Sequence, residues 1–164
     1  MTDTEDVATA LVALLVEKGL MLTTAESCTG GWIAKAITDV SGSSACFGYG
    51  IVSYSNDAKM RLLNVSGALI EAEGAVSEAV VCAMANGALR ISDADVAVAV
   101  SGIAGPGGGS EDKPVGTVWI AYSIGSQEGP QTDAECIRFD GDRADVRQAT
   151  VVHALGGILE RLRA

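Results

Sequence analysis

Ser27 lies in the run Thr24-Ala25-Glu26-Ser27-Cys28-Thr29-Gly30-Gly31, between an apolar strand-like stretch (Leu20, Met21, Leu22) and a helix-like one (Trp32, Ile33, Ala36, Ile37). A serine at the end of a strand, just ahead of a helix start, exposes its hydroxyl beside main-chain N–H groups that the helix leaves unpaired. Such donors suit an anion, either a ligand phosphate or the oxyanion of an acyl-transfer intermediate. Gly30 and Gly31 lack Cβ atoms and would let a substrate approach the main chain. The plain alternative is a serine that only caps the helix. Nucleophilic chemistry needs a base as well. His153, the one histidine, falls beside the apolar stripe of the last helix and reads as structural. Lys59, thirty-two residues after Ser27, is the other candidate. It follows Tyr54-Ser55-Asn56 in the first turn of a helix, where partial burial and the positive end of the dipole both favour the neutral amine that a base requires. A solvated surface lysine is the competing reading. Ser27 and Lys59 both follow strands at what should be one edge of a sheet, where α/β folds place their sites. Tyr54 offers a hydroxyl to bridge them or relay a proton, although a half-buried strand tyrosine needs no such role. Cys28 reads as packing inward rather than as the nucleophile.

A second candidate is the glycine-rich stretch Ser101-Gly102-Ile103-Ala104-Gly105-Pro106-Gly107-Gly108-Gly109-Ser110. Phosphate loops of the Walker and dinucleotide types both need a helix after the glycines, and here Lys113-Pro114 leads into a strand. What remains is a main-chain nest able to hold a phosphate with Lys113 nearby, or a merely flexible loop.

The elements that must position these groups follow from apolar periodicity. Residues 4–18 place Val7, Leu11, Leu14 and Leu15 on one helical face, ended by Gly19. Residues 20–25 read as a buried strand, 30–40 as a helix, and Phe47–Tyr54 as a strand. Asn56-Asp57 looks like the cap of the helix that carries Lys59. A short helix over 66–73 and a longer one opened by Ser77-Glu78 come next. Asp95–Ser101 is a continuous apolar strand covered on both faces. Val115–Ile124 and Ala134–Phe139 form an antiparallel hairpin, and a last helix spans about 142–163. Strands alternating with helices, then a hairpin, indicate a mixed sheet in an α/β layered domain.

Length and composition limit the function. A chain of 164 residues with 48% hydrophobic content is one globular domain. No apolar run is long enough to span a bilayer, and Asp3, Glu5 and Asp6 stand where a secretory signal would be basic, so a cytoplasmic protein is expected. The four cysteines (Cys28, Cys46, Cys82, Cys136) are dispersed and read as free buried thiols rather than disulfides or zinc ligands. A single histidine argues against a histidine metal cage. A net charge of −10 with 4% aromatics disfavours nucleic acid as a ligand. An anionic small molecule remains open if Lys59, Arg61, Lys113 or Arg143 converge on one cleft.

Taken together, the Ser27 block, Tyr54-Ser55-Asn56-Asp57-Ala58-Lys59, Gly74-Ala75-Val76-Ser77-Glu78, Ser101-Gly102-Ile103-Ala104-Gly105-Pro106, Lys113-Pro114-Val115-Gly116-Thr117-Val118 and Gly141-Asp142-Arg143 resemble the C-terminal domain family of the competence-damage-inducible protein CinA. The resemblance implies one domain over 1–164, a three-layer α/β/α sandwich around a mixed, mostly parallel five-stranded sheet. It implies hydrolysis of the carboxamide of nicotinamide mononucleotide by serine–lysine chemistry, in pyridine nucleotide recycling, with no metal and no cofactor. Carried onto matching positions, Ser27 would be the nucleophile, Lys59 the base, and Thr29, Gly30 and Gly31 the oxyanion donors. Tyr54 and Asn56 would line the site. The substrate phosphate would rest on the Ser101–Gly109 main chain (Ser101, Gly102, Gly105) or on Arg143. The expected partner is a small nucleotide, not nucleic acid or membrane, and exposed apolar helix positions would fit a homo-oligomer. A binding module of the same fold without turnover stays as the alternative.

Overall fold

The computed structural model describes residues 3–164. In chain order the elements are α1 (Thr4–Lys18), β1 (Leu22–Glu26), α2 (Trp32–Thr38), a 3₁₀ turn (Ser43–Ala45), β2 (Ile51–Val52), α3 (Asn56–Leu63), α4 (Gly67–Glu73), α5 (Glu78–Ser92), β3 (Val96–Gly102), β4 (Thr117–Ile124), β5 (Gln131–Arg138) and α6 (Arg143–Arg163). Local chemistry sets many of these boundaries. Ser55, Ser66 and Ser77 each accept an amide hydrogen bond three residues on, opening α3, α4 and α5. Asp142 and Asp145 form a reciprocal capping box at the start of α6. Gly19, at φ +66°, takes the left-handed turn that ends α1.

The sheet order is β2-β1-β3-β4-β5. β2, β1 and β3 pair in parallel, whereas β3-β4 and β4-β5 are antiparallel. Only β4 therefore runs against the others, so the sheet is mostly parallel in strand direction although its pairings divide evenly. Along β3, Val96, Val98 and Val100 join the core under α1, α2 and α6, while Ala97 and Ala99 face α5. Alternation in side-chain direction thus feeds two separate cores. Two helical layers on one sheet make the three-layer sandwich.

Several local expectations need correction. The strand expected over Phe47–Tyr54 pairs only at Ile51 and Val52, with an isolated bridge from Leu22 to Phe47. Gly48 and Gly50 interrupt it, since a Cβ on Gly50 would overlap the Thr24 hydroxyl. The cap of α3 is Ser55 rather than Asn56-Asp57, because the Ser55 hydroxyl reaches the Ala58 amide at 3.0 Å. All four cysteines are free, but Cys82 is half-buried and Cys136, on β5, is exposed.

α3 is seated by a close main-chain approach. A Cβ on Gly87 of α5 would overlap the carbonyl of Leu63, the last residue of α3. Gly87→Ala should lower the urea midpoint by an amount equivalent to about 1–3 kcal/mol of overpacking. Helix propensity alone would give a gain of about 1 kcal/mol, so a raised midpoint would show that α3 can shift without cost.

Candidate active site

β1 is buried along its whole length, and its pairing continues one residue past the strand, with the Ser27 amide donating to Val100 at 3.1 Å. On its other side the Ser53 amide donates to the Glu26 carbonyl at 2.8 Å. These two bonds bring Ser27 and the Ser53–Tyr54 segment together at the carboxyl ends of adjacent parallel strands. α3 then turns back, and Lys59 enters from its first turn.

The Lys59 side chain is only 1% exposed. Its Nζ lies 3.0 Å from Ser27 Oγ, 3.1 Å from the Ser53 carbonyl and 3.0 Å from the Tyr54 carbonyl. Among the described residues Lys59 has no carboxylate partner. Burial pushes its ammonium pKa down, against a smaller opposing influence from Cys28. A neutral amine has two hydrogens and one lone pair. The two carbonyls accept only; when they take both hydrogens, the lone pair is free for the Ser27 hydroxyl proton, whose other acceptor within reach is the Tyr54 carbonyl at 3.4 Å. The site can therefore deprotonate a serine without a histidine.

Cys28 is almost fully enclosed and belongs to the core under α1 and α6. Burial, with a smaller contribution from the Glu26 charge, pushes its thiol up to about 12, so it stays protonated and poorly nucleophilic at neutral pH.

The donors at the turn after Ser27 are only partly open. Gly30 gives its amide to the Ser27 carbonyl at 3.1 Å. The Ile33 and Ala34 amides at the start of α2 are taken by the buried Glu26 carboxylate at 2.8 and 3.0 Å, which also accepts from the Thr29 hydroxyl at 2.6 Å. The expectation of a vacant helix end is thus corrected there, because the protein supplies its own anion. Thr29 and Gly31 donate their amides to no acceptor among the described residues.

Ser27, Lys59, Tyr54, Asn56, Ser101, Gly102 and Arg143 line one cavity of about 250 Å³, whereas the expected Gly30, Gly31, Gly105 and fully buried Thr29 do not line it. Ser101 fixes its wall by donating to the Ala75 carbonyl at 2.8 Å. Arg143 donates to the Gly105 carbonyl at 2.8 Å and to the Tyr54 hydroxyl at 3.3 Å. Tyr54 is 60% exposed and lies beyond β2, so it is neither half-buried nor on a strand, and its hydroxyl meets Arg143 instead of bridging Ser27 and Lys59. Its carbonyl contributes to the pair instead. Arg143 and Ala104 also border a second, more open hollow of about 690 Å³ beside the start of α6.

Other candidates lie elsewhere. Lys113 donates to the Glu73 carbonyl at the end of α4, at 3.1 Å, and Arg61 pairs with Asp57 at 2.9 Å. His153 meets Glu135 at 3.0 Å and Phe139 edge-on. Among the described residues no cluster of three or more His, Cys, Asp or Glu side chains could hold a metal ion, and no helix is long and apolar enough to cross a membrane. Three contributors escape sequence reading: Glu26 as a buried cap, the Ser53 carbonyl, and Arg147, which donates to the Cys28 and Thr29 carbonyls at 3.1 Å each. Only Arg147 leaves a signal, four residues after Arg143 and so on the same side of α6.

Residues 4–162 match the model of the CinA C-terminal domain. The chain belongs to the CinA C-terminal domain family. Within it, the chain is 52% identical over 157 residues to the Escherichia coli K12 protein named nicotinamide-nucleotide amidohydrolase PncC, covering 94% of this chain and 93% of that one. It is 54% identical over 159 residues to a putative competence-damage inducible protein of Symbiobacterium thermophilum, covering 94% of this chain but only 37% of that longer one. Among CinA structures, a superfamily protein from Klebsiella pneumoniae superposes with a TM-score of 0.92 at 38% identity, covering 98% of both chains. One from Agrobacterium tumefaciens gives 0.91 at 44% identity, covering 98% of this chain and 96% of that one.

A lowered lysine pKa has a signed consequence for stability. The unfolded chain, with lysine near its ordinary value of 10.5, binds more protons than the native state, so Lys59 makes stability rise with pH across the window from its lowered pKa up to 10.5. The stability of Lys59→Met relative to wild type should consequently be more favourable at pH 7 than at pH 10, read as the difference in urea unfolding free energy. A difference independent of pH would mean that the native amine titrates normally.

Proposed function

We propose that the protein hydrolyses the carboxamide of nicotinamide mononucleotide to nicotinate mononucleotide and ammonia, in the cytoplasm, as a step of pyridine nucleotide recycling. The observation that carries this reading is the buried, counter-ion-free Lys59 Nζ at 3.0 Å from Ser27 Oγ. The near full-length likeness to proteins named nicotinamide-nucleotide amidohydrolase supports the substrate.

In this mechanism Ser27 Oγ attacks the carboxamide carbon while its proton passes to Lys59 Nζ. The negative oxygen of the tetrahedral intermediate is received by main-chain amides of the Thr29–Gly31 turn, with Thr29 and Gly31 the ones not already committed. Lys59 returns the proton to the departing nitrogen as the C–N bond breaks, releasing ammonia. It then takes a proton from water, whose oxygen displaces Ser27 and leaves the carboxylate product. Arg143, at the junction of the two hollows and anchored on the Gly105 carbonyl, would hold the phosphate beside Ser101 and Gly102.

Ammonia release from nicotinamide mononucleotide tests this. Ser27→Ala and Lys59→Ala should lose at least about a thousandfold in kcat. Lys59→Arg should be equally inactive, because a guanidinium cannot become a neutral base. Wild-type kcat should climb with pH through the Lys59 titration, below 10.5, since the active form is the unprotonated amine. Thermal stabilisation by the nucleotide without ammonia would favour a binding module instead.

A further inference from the structure

We infer that Arg147 is a positioning residue, fixing the turn that follows Ser27 and with it the direction of that turn's main-chain amides. This rests on the hydrolase reading above. Arg147 projects from α6 one turn beyond Arg143 and spends its guanidinium on two consecutive main-chain carbonyls. Nε donates to Cys28 and Nη2 to Thr29, both at 3.1 Å. The guanidinium carbon lies 5.7 Å from the centroid of the Trp32 ring, on the first residue of α2. No carboxylate pairs with Arg147 among the described residues. Gly30 leaves the necessary room, since a Cβ there would sit 3.3 Å from Nη2 and the residue holds φ +60°.

Carbonyl and N–H point to opposite sides of a trans peptide. Drawing the Cys28 and Thr29 carbonyls toward α6 therefore turns the Thr29 and Gly30 amides away from it. Gly30 closes onto the Ser27 carbonyl, which fixes the turn, while the amides of the buried Thr29 and of Gly31 have no protein acceptor among the described residues. Glu26 restrains Thr29 through its hydroxyl. The turn is thus clamped between a buried anion and a half-buried cation, and neither group needs to touch substrate. Arg147 also polarises both peptides in the direction that strengthens their N–H groups as donors.

The test is steady-state ammonia release by full-length Arg147→Lys, Arg147→Met and Arg147→Ala, with Ser27→Ala as control and melting temperature measured alongside. A misplaced oxyanion donor should cost about ten- to a hundredfold in kcat with KM within about threefold. Arg147→Lys should recover only part of this, as one ammonium cannot reproduce the fork. Millimolar guanidinium should raise the kcat of Arg147→Ala, and methylammonium should not. The alkaline rise assigned to Lys59 should stay at the same pH in every variant. If Arg147→Met does not fold, Arg147→Lys carries the test, with kcat about tenfold down at an unchanged melting temperature. Wild-type kcat in Arg147→Met or Arg147→Lys, with Ser27→Ala dead, overturns the role of Arg147 alone. A wild-type protein that releases no ammonia overturns the hydrolase reading and this inference with it.

Discussion

Everything at this site depends on an amine that has been taken out of water without being given a counter-charge. Lysine is among the residue types least often fully buried, and such burial is costly for the charged form. The fold does not neutralise Lys59 with a carboxylate, although Glu26 is buried nearby. It offers two carbonyls instead. A carboxylate would hold the ammonium and raise its pKa, whereas two carbonyls satisfy two hydrogens while leaving desolvation free to favour the neutral amine. Glu26, meanwhile, is spent on the start of α2, where three donors compensate its charge. Glu26 and Lys59 are therefore kept in separate electrostatic settings. Three donors surround the one; burial pushes the pKa of the other down.

The sheet explains why the pair can be assembled from distant segments. Because β2, β1 and β3 are parallel, their carboxyl ends gather on one edge, and the turn after β1 meets the turn after β2 there. Parallel strands each need a long return connection. Here those returns are α2 on one face and α3, α4 and α5 on the other, with α1 and α6 completing the layer beside α2. Along β3 the alanines face α5 and the valines face the opposite layer. Gly87 then admits the end of α3 against α5. The reach of Lys59 is thus set by small residues in the core as much as by its own stem.

Fold class and the Ser27–Lys59 pair were legible because both leave local signatures: apolar period and serine caps for the elements, and strand-to-helix turns for the site. Composition extends the strand after Phe47 too far because β-branched and aromatic residues persist through Gly48 and Gly50, whereas the close approach of Thr24 to Gly50 leaves no local pattern. The availability of α2 amides was over-read for a similar reason. Glu26 lies six residues ahead of the helix it caps, outside the spacing of an ordinary N-cap. Arg147 was not read at all, since its partners are carbonyls 118 and 119 residues away. Main-chain acceptors carry no residue identity, so a contact with them cannot be seen in a sequence.

This asymmetry bears on how the chemistry divides between side chain and main chain. In the proposed reaction Ser27 and Lys59 would exchange the transferable proton, and both are legible by type. The groups that would select protonation state and receive negative charge are carbonyls of Ser53 and Tyr54 and amides of the Thr29–Gly31 turn, which any residue provides. What must be specified is their direction, and that is fixed by the groups that hold them: Glu26 and Arg147 on the nucleophile turn, the β1–β2 pairing at Ser53, and α3 behind Tyr54. A substitution at such a holder changes no reacting atom, yet it rotates a peptide whose dipole acts at close range in a dry site, where small angular errors weigh heavily on the transition state.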